Sequence, residues 1–160
     1  MYFCIGGKMK ALKITSPLYV GEIAPLILKF YNRVSTGTEY QGITYESLYA
    51  SFAQIVQFGG NVSELWVVFE ENEPVAFATW RVLGLPHIGK TYCDFMFNSI
   101  RNRKAVIELC KEWIEFGKRH RAPLFAFDAI NEKVAEHLVS VGKQLGVEFV
   151  NTGVTNFIGR

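Results

Sequence analysis

The chain is short of nearly every feature that marks a specialised class of protein. Its three cysteines, Cys4, Cys93 and Cys110, are odd in number and form no CxxC pair. That argues against a disulfide framework and fits reduced thiols. Cys93 and Cys110 lie in apolar periodic runs, where cysteine acts as a small hydrophobe. No stretch approaches the roughly 18 apolar residues of a membrane span. The opening MYFCIGGKMKALKIT has only a brief apolar patch, broken at once by Gly-Gly-Lys, unlike a signal peptide. The expectation is a soluble, cytoplasmic protein that meets no membrane. Charge of one sign is also scarce: the formal net charge is +2, without the concentrated basic footprint that nucleic acid requires. His87, His120 and His137 share no HxxxH or HExxH spacing, so no metal centre is expected. A serine nucleophile elbow is missing as well.

What the chain does have is core material. Apolar residues make up 49% of it and aromatic residues 14%, too much for a disordered polypeptide. A length of 160 residues suits one domain, residues 1–160, with a core large enough to need no staples. No internal repeat, low-complexity tract or linker interrupts it.

The hydrophobic periods give an order of elements. Leu12 and Ile14 alternate with lysines in a first strand that ends at Ser16-Pro17. Ile23, Leu26, Ile27, Phe30, Tyr31 and Val34 recur at helical spacing and stop before Ser35. Thr44 then caps a second helix with Tyr45, Leu48, Tyr49, Phe52, Ile55 and Val56 on one stripe, closed by Gly59-Gly60. ELWVVFE and VAFATWRVL form a hairpin around Glu71-Asn72-Glu73-Pro74, apolar at both parities and therefore covered on both faces. TYCDFMFN is a third strand of this group. A helix from about Arg103 to His120 follows, with a basic last turn that suits its dipole. LFAFDA is a short strand, and Asn131 opens a last helix ended by Gly146. VEFVN and VTNFI are read as two short strands meeting in a hairpin at Thr152-Gly153. Trp66, Trp80 and Trp113 are expected in the core.

One motif matches a known pattern in full. GLPHIGKT, from Gly84 to Thr91, has the form GxxxxGK[ST], and LFAFD ending at Asp128 resembles the strand that carries a magnesium-binding acid. The context opposes it. An aromatic, strand-like segment follows Thr91 where a helix is required, and too little chain remains for the parallel sheet of a nucleotide fold. A glycine-rich turn between antiparallel strands is the preferred reading.

The order helix, helix, three strands, helix, strand, helix, strand, strand resembles the GNAT superfamily of acyl-CoA-dependent N-acyltransferases from about Ile14 to Ile158. The resemblance implies an α/β (α+β) fold: a mixed, mostly antiparallel central sheet flanked by about four helices. It also implies acetyl-CoA as cofactor and a primary amine, on a small molecule or a protein, as partner. In that family a central strand leads into a loop R/Q-x-x-G-x-G/A whose amides and following helix N-terminus bind the pyrophosphate. Here the strand is TYCDFMFN and the loop SIRNRKAV. This gives Phe95, Met96, Phe97, Arg101, Asn102, Arg103, Lys104 and Ala105 as cofactor-binding candidates, with Asn131 from the later helix. The loop departs from the pattern: Asn102, Lys104 and Val106 stand where glycine or alanine is usual, and basic side chains would have to replace backbone contacts.

The family's N-x-x-A-x-x-x-Y-x-x-x-G helix falls on Asn131, Val134, Leu138 and Gly142. Leu138 stands at the place of a proton-donating tyrosine and has no proton to give. For a general base the resemblance points to a carboxylate on the central strands, Asp94 first and Glu70 next. Two functions follow: an acetyltransferase acting on an amine, or a GNAT-fold binding or assembly protein that has lost catalysis. The edges of such a sheet are where two copies would pair, as a homodimer.

Overall fold

The computed structural model describes residues 8–34, 42–84, 89–129 and 131–154. Six strands form one sheet in sequence order: β1 Met9–Lys13, β2 Ser63–Glu70, β3 Glu73–Leu83, β4 Lys90–Asn98, β5 Leu124–Ala129 and β6 Phe149–Val154. The first four strands pair antiparallel, and β4–β5 and β5–β6 pair parallel. The helices are α1 Ala24–Val34, α2 Tyr45–Phe58, α3 Arg103–Arg119 and α4 Glu132–Gln144. A 3-10 turn over Pro17–Ile23 precedes α1. This is the mixed, mostly antiparallel sheet with four helices that the resemblance implies. Among the described residues no helix is long and apolar enough to cross a membrane.

Local chemistry sets the boundaries. Ser16 caps the 3-10 turn, and Thr44 and Ser47 exchange hydrogen bonds in a capping box at the start of α2, satisfying amides that a helix start leaves open. Glu71 and Asn72 both take positive φ, 50° and 68°, the twist that a two-residue hairpin between β2 and β3 needs. Pro74 follows, and the ladder slips beside it: Phe69 pairs with Pro74 and Val68 with Ala76. Val75 is left as a bulge residue, a position where proline nearby is tolerated. Its carbonyl then accepts the Ser99 amide at 2.9 Å and the Ser99 hydroxyl at 2.7 Å, which pins the segment between β4 and α3.

The sheet is buried on both faces, as the strand composition predicts. On one face Phe30 of α1 and Phe52 of α2 meet Phe77 edge-on, at centroid distances of 5.3 and 5.0 Å. On the other face α3 and α4 bury Trp80, Trp113, Phe116 and Phe127. Trp66, Trp80, Trp113 and Phe149 stack in a row, with Trp113 and Phe149 centred 4.6 Å apart. Cys93 and Cys110 are buried and unpaired, and Cys4 lies outside the described residues.

Two expectations are settled here. The hairpin at Thr152-Gly153 is not formed: β6 runs straight through both residues, parallel to β5. A register shift beside Asp128 absorbs the extra residue, and the Thr152 hydroxyl donates to the Asp128 carboxylate, with the Phe127 carbonyl 3.2 Å away, holding the chain in line. The stretch VTNFI lies mostly outside the described residues. In the phosphate-loop match, Lys90 and Thr91 belong to a strand, and the buried Thr91 hydroxyl accepts the Trp113 indole N–H at 2.9 Å. No helix N-terminus follows, and 85–88 lie outside the described residues.

One buried charge was not foreseen. Glu64, only 4% exposed, accepts hydrogen bonds from the Trp66 and Trp80 indoles, Lys13 and Arg119. Burial alone would raise its pKa; the bonds from Trp66 and Lys13, with the charges of Lys13 and Arg119, outweigh that and hold it below the ordinary value of 4.5. A lowered pKa stabilises the fold above the unfolded-state value and loses that effect as pH falls through the folded one. Glu64→Gln should therefore cost about 1–3 kcal/mol at neutral pH. In urea titrations the deficit relative to wild type should shrink progressively below pH 4.5.

Candidate active site

The site begins where β4 and β5 part. Their parallel ladder holds for Lys90–Cys93 against Leu124–Phe127 and stops there. Strand β4 runs on to Asn98 beside β3, while β5 runs on to Ala129 beside β6. From Asp94 to Asn98 the edge of β4 that faces β5 has no strand partner among the described residues. A V-shaped gap in the sheet results, with backbone donors and acceptors along one wall.

The turning residue is Asp94. Thr79 of β3 pairs with Phe95 and Trp80 with Cys93, so Asp94 is the extra residue of a β-bulge just beyond the vertex of the V. Bulges bend a strand and re-aim a side chain. The Asp94 carboxylate is three-quarters buried and accepts from Arg81 Nε at 3.0 Å. Burial pushes its pKa up from 3.8, against the pull of Arg81, which is what a base working nearer neutrality needs.

Beyond Asp94, Phe95 and Phe97 point towards α1 and α2: Phe30 lies 5.6 Å from the first and 5.4 Å from the second. Met96 packs on the opposite core. Their side chains therefore serve the two cores, and any ligand contact from this stretch falls to the backbone.

The β4–α3 segment closes the end of the V. Asn98 donates to the Asn102 carbonyl at 2.8 Å and accepts the Ile100 amide at 3.3 Å. Arg101 takes φ +53°, so the left-handed conformation falls on an arginine, at a cost of about 1–2 kcal/mol. Asn102 caps α3, its side chain accepting the Lys104 amide at 2.9 Å. The Ala105 amide goes to the Asn102 carbonyl, and its methyl is fully buried. The Arg103 guanidinium reaches α4, contacting His137 Nδ1 at 3.2 Å and donating to Ser140 and Gln144 at 3.1 Å each. It braces α3 against α4; burial first, and then the Arg103 charge, lowers the His137 pKa. Arg101 and Lys104 remain as the basic groups at the helix start. Lys104 also lines a cavity of about 330 Å³ with Lys8, Met9, Glu70, Asn102, Ile107 and Glu108.

Glu70 belongs to that cavity and not to the V. It pairs with Glu73 at one end of β3, whereas Asp94 faces Thr79 and Trp80, about 20 Å further along the strand. The two carboxylates do not converge on one reacting atom. Asn131 caps α4, its side chain accepting the Val134 amide at 2.9 Å. Leu138 is buried in the core beneath α4. Among the described residues no group of His, Cys, Asp or Glu is gathered to hold a metal ion.

A group that sequence reasoning missed completes the site. At the vertex of the V, Tyr92 of β4 donates to Asp128 of β5 at 2.5 Å, and Thr152 of β6 donates to the other Asp128 oxygen. Burial first, then the hydrogen bond and charge of Asp128, push the Tyr92 pKa up to about 12. The signal available in the sequence was a Tyr two residues before Asp94 and an Asp at the end of LFAFD; their meeting depends on parallel register.

Neither a family model nor a curated protein matches the sequence. Solved structures do match the fold. An aminoglycoside N-acetyltransferase AAC(6')-Iy in complex with CoA is 14% identical, with 92% of each chain covered and a TM-score of 0.65. A predicted acetyltransferase with acetyl-CoA from Clostridium acetobutylicum is 14% identical, covering 91% of this chain and 93% of its own, with a TM-score of 0.61. Glucosamine-6-phosphate N-acetyltransferase from Arabidopsis thaliana is 11% identical, covering 95% and 99%, with a TM-score of 0.63. The chain has the GNAT acetyltransferase fold.

Gly142, the second matching residue of the helix pattern, has a packing reason to be glycine. A Cβ there would stand 2.7 Å from the Val147 carbonyl and 2.9 Å from the Phe149 ring. Gly142→Ala should destabilise the fold by about 1–3 kcal/mol, read as a lowered midpoint in urea, through displacement of β6 from α4.

Proposed function

We propose that this protein is an acyl-CoA-dependent N-acetyltransferase that acetylates a primary amine, with Asp94 as its general base. The observation that carries the reading is the β4 bulge: it sets a three-quarters-buried carboxylate just past the vertex of a gap whose wall is an unpaired strand edge. The resemblance in fold to acetyltransferases solved with CoA or acetyl-CoA supports it.

The residues present fit an acyl-CoA. The free edge of β4 from Asp94 to Asn98 offers amides and carbonyls to an extended pantetheine arm, as a sheet edge does to an added strand. The start of α3, with no acidic residue in its first turn and with Arg101 and Lys104 beside it, suits a pyrophosphate. Asn102 already occupies one helix-start amide, so side-chain charge carries more of the binding than a glycine loop would ask of it. Bound there, acetyl-CoA supplies a thioester carbonyl open to attack by a neutral amine.

Asp94 removes a proton from the acceptor ammonium, directly or through one water, and Arg81 keeps its carboxylate aimed. Leu138 offers no proton to the departing sulfur, so that proton comes from solvent or from the one Asp94 has taken. A chain that has lost catalysis would keep the V and still fail to turn over.

Thermal shift and calorimetry with acetyl-CoA and desulfo-CoA test the donor site. At a hundred times its dissociation constant, a ligand of the folded state should add about 2.7 kcal/mol. Replacing Arg101 and Lys104 with alanine should weaken desulfo-CoA binding by about tenfold; an unchanged affinity would place the pyrophosphate elsewhere. Failure of wild type to respond to any CoA species would refute the reading. For the base, Asp94→Asn should abolish transfer without loss of CoA affinity. In wild type, kcat/KM should fall as pH drops through the Asp94 pKa, with an inflection above 3.8, because the protonated acid cannot accept a proton.

A further inference from the structure

Tyr92, Asp128 and Thr152 bridge three strands at the vertex of the V, on the part of the α1–α2 face that those helices leave uncovered. Phe125, Phe127 and Ala129 of β5 belong to the core beneath α3 and α4, so Asp128 alternates to the opposite face. Arg81 shares that face, its guanidinium 5.6 Å from the centre of the Tyr92 ring. Helices α1 and α2 cover this side over β2 and β3, but Asp128 and Thr152 are exposed. An incoming acceptor would meet this polar strip immediately before Asp94.

The charges of the strip are unbalanced in a specific place. Asp94 has its cation in Arg81. Asp128 receives hydroxyl protons from Tyr92 and Thr152 and, among the described residues, pairs with no cation. Both hydroxyls point their protons at one carboxylate, which fixes its orientation without neutralising it. A second, independent observation lies beside the bulge. Thr79, 1% exposed, sits on the same face as Arg81 and pairs with Phe95, and its Oγ1 has no hydrogen-bond partner among the described residues. A buried hydroxyl without a partner costs about 1–3 kcal/mol, and a bound polar molecule or its water would complete it.

We propose that Asp128, oriented by Tyr92 and Thr152, anchors a second ammonium group of the acceptor, so that the substrate is a di- or polycationic amine and not one bearing a phosphate or carboxylate beside its reactive nitrogen. The inference rests on the reading of Asp94 as base. Cys93 pairs with Phe127, so Asp94 and Asp128 are the next residues on the two strands as they part from a spacing of about 5 Å, and a short diamine would span the gap between them. An acceptor phosphate would meet two carboxylates and a single guanidinium already engaged by one of them.

The test is calorimetric titration of the intact chain with putrescine, spermidine and glucosamine 6-phosphate, beside a parallel titration with desulfo-CoA. Wild type should bind the two polyamines, more weakly as salt is raised, and bind the sugar phosphate less well. Asp128→Asn should weaken polyamine binding by about tenfold or more and leave desulfo-CoA affinity unchanged. Tyr92→Phe and Thr152→Val, which remove only the orienting donors, should each cost a few-fold and carry the test if Asp128→Asn fails to fold. Equal polyamine affinity in all variants, tighter binding of the sugar phosphate, or no polyamine binding by wild type would overturn the proposal. Loss of amine binding with desulfo-CoA binding intact would remove this anchor and leave the transferase reading standing. Absence of desulfo-CoA binding alone would do the reverse.

Discussion

Strand β4 holds β5 for four residue pairs and then leaves it, and the rest of the molecule is arranged around that parting. Unpaired backbone inside a protein is costly, because each buried amide or carbonyl without a partner forfeits a hydrogen bond it had in water. A sheet that opens must therefore justify the opening, and here several devices maintain it. The bulge at Asp94 bends β4. Ser99 ties the end of that strand to the Val75 carbonyl, a carbonyl made available by a second bulge next to Pro74. Arg103 fastens the following helix to α4, so the two helices under the V cannot drift apart. Tyr92 and Asp128 close the vertex and stop the split from travelling further down the ladder.

The architecture was largely legible in the sequence because its determinants are local. Helix stripes, Thr44 and Asn131 as caps, the Glu71-Asn72 turn and the two-faced apolar strands each follow from residues within a few positions of one another. The bulge, the buried Glu64 and the Tyr92–Asp128–Thr152 bridge were not legible in the same way. Glu64 reads as one polar residue in an apolar strand, and only the register of β1, β2 and β3 with the end of α3 gathers Lys13, two indoles and Arg119 around it. The closing hairpin failed for a related reason. Thr152-Gly153 has the composition of a turn, yet the pull of Asp128 and Phe127 on the Thr152 hydroxyl keeps the chain extended, a tertiary contact overriding local preference.

The candidate site divides along the same line. Asp94 was visible by its position in a central strand, and the structure gives it a bulge, an arginine and partial burial. Arg101 and Lys104 remain at the start of α3, while Arg103 is engaged with α4 and Ala105 with the core. Glu70, a reasonable second choice from strand position alone, sits at the far end of β3, because neighbouring antiparallel strands bring their opposite termini together. Counting positions along one strand cannot reveal that; the pairing register can.

The departures from a glycine-rich loop and the un-neutralised charge of Asp128 have one physical theme. A backbone cradle binds a pyrophosphate through amides whose geometry the fold fixes, and it needs little from side chains. This chain puts Asn102 on one of those amides and Arg101 in the left-handed turn, so an anion bound there would be met more by cationic side chains at one end of the V. At the other end the excess is negative, with Asp128 pairing with no cation among the described residues. The gap therefore has a polarity along its length, positive where α3 begins and negative at the vertex. A donor carrying phosphates and an acceptor carrying ammonium groups would each be drawn to its own end and meet between them, at the bulge that holds Asp94.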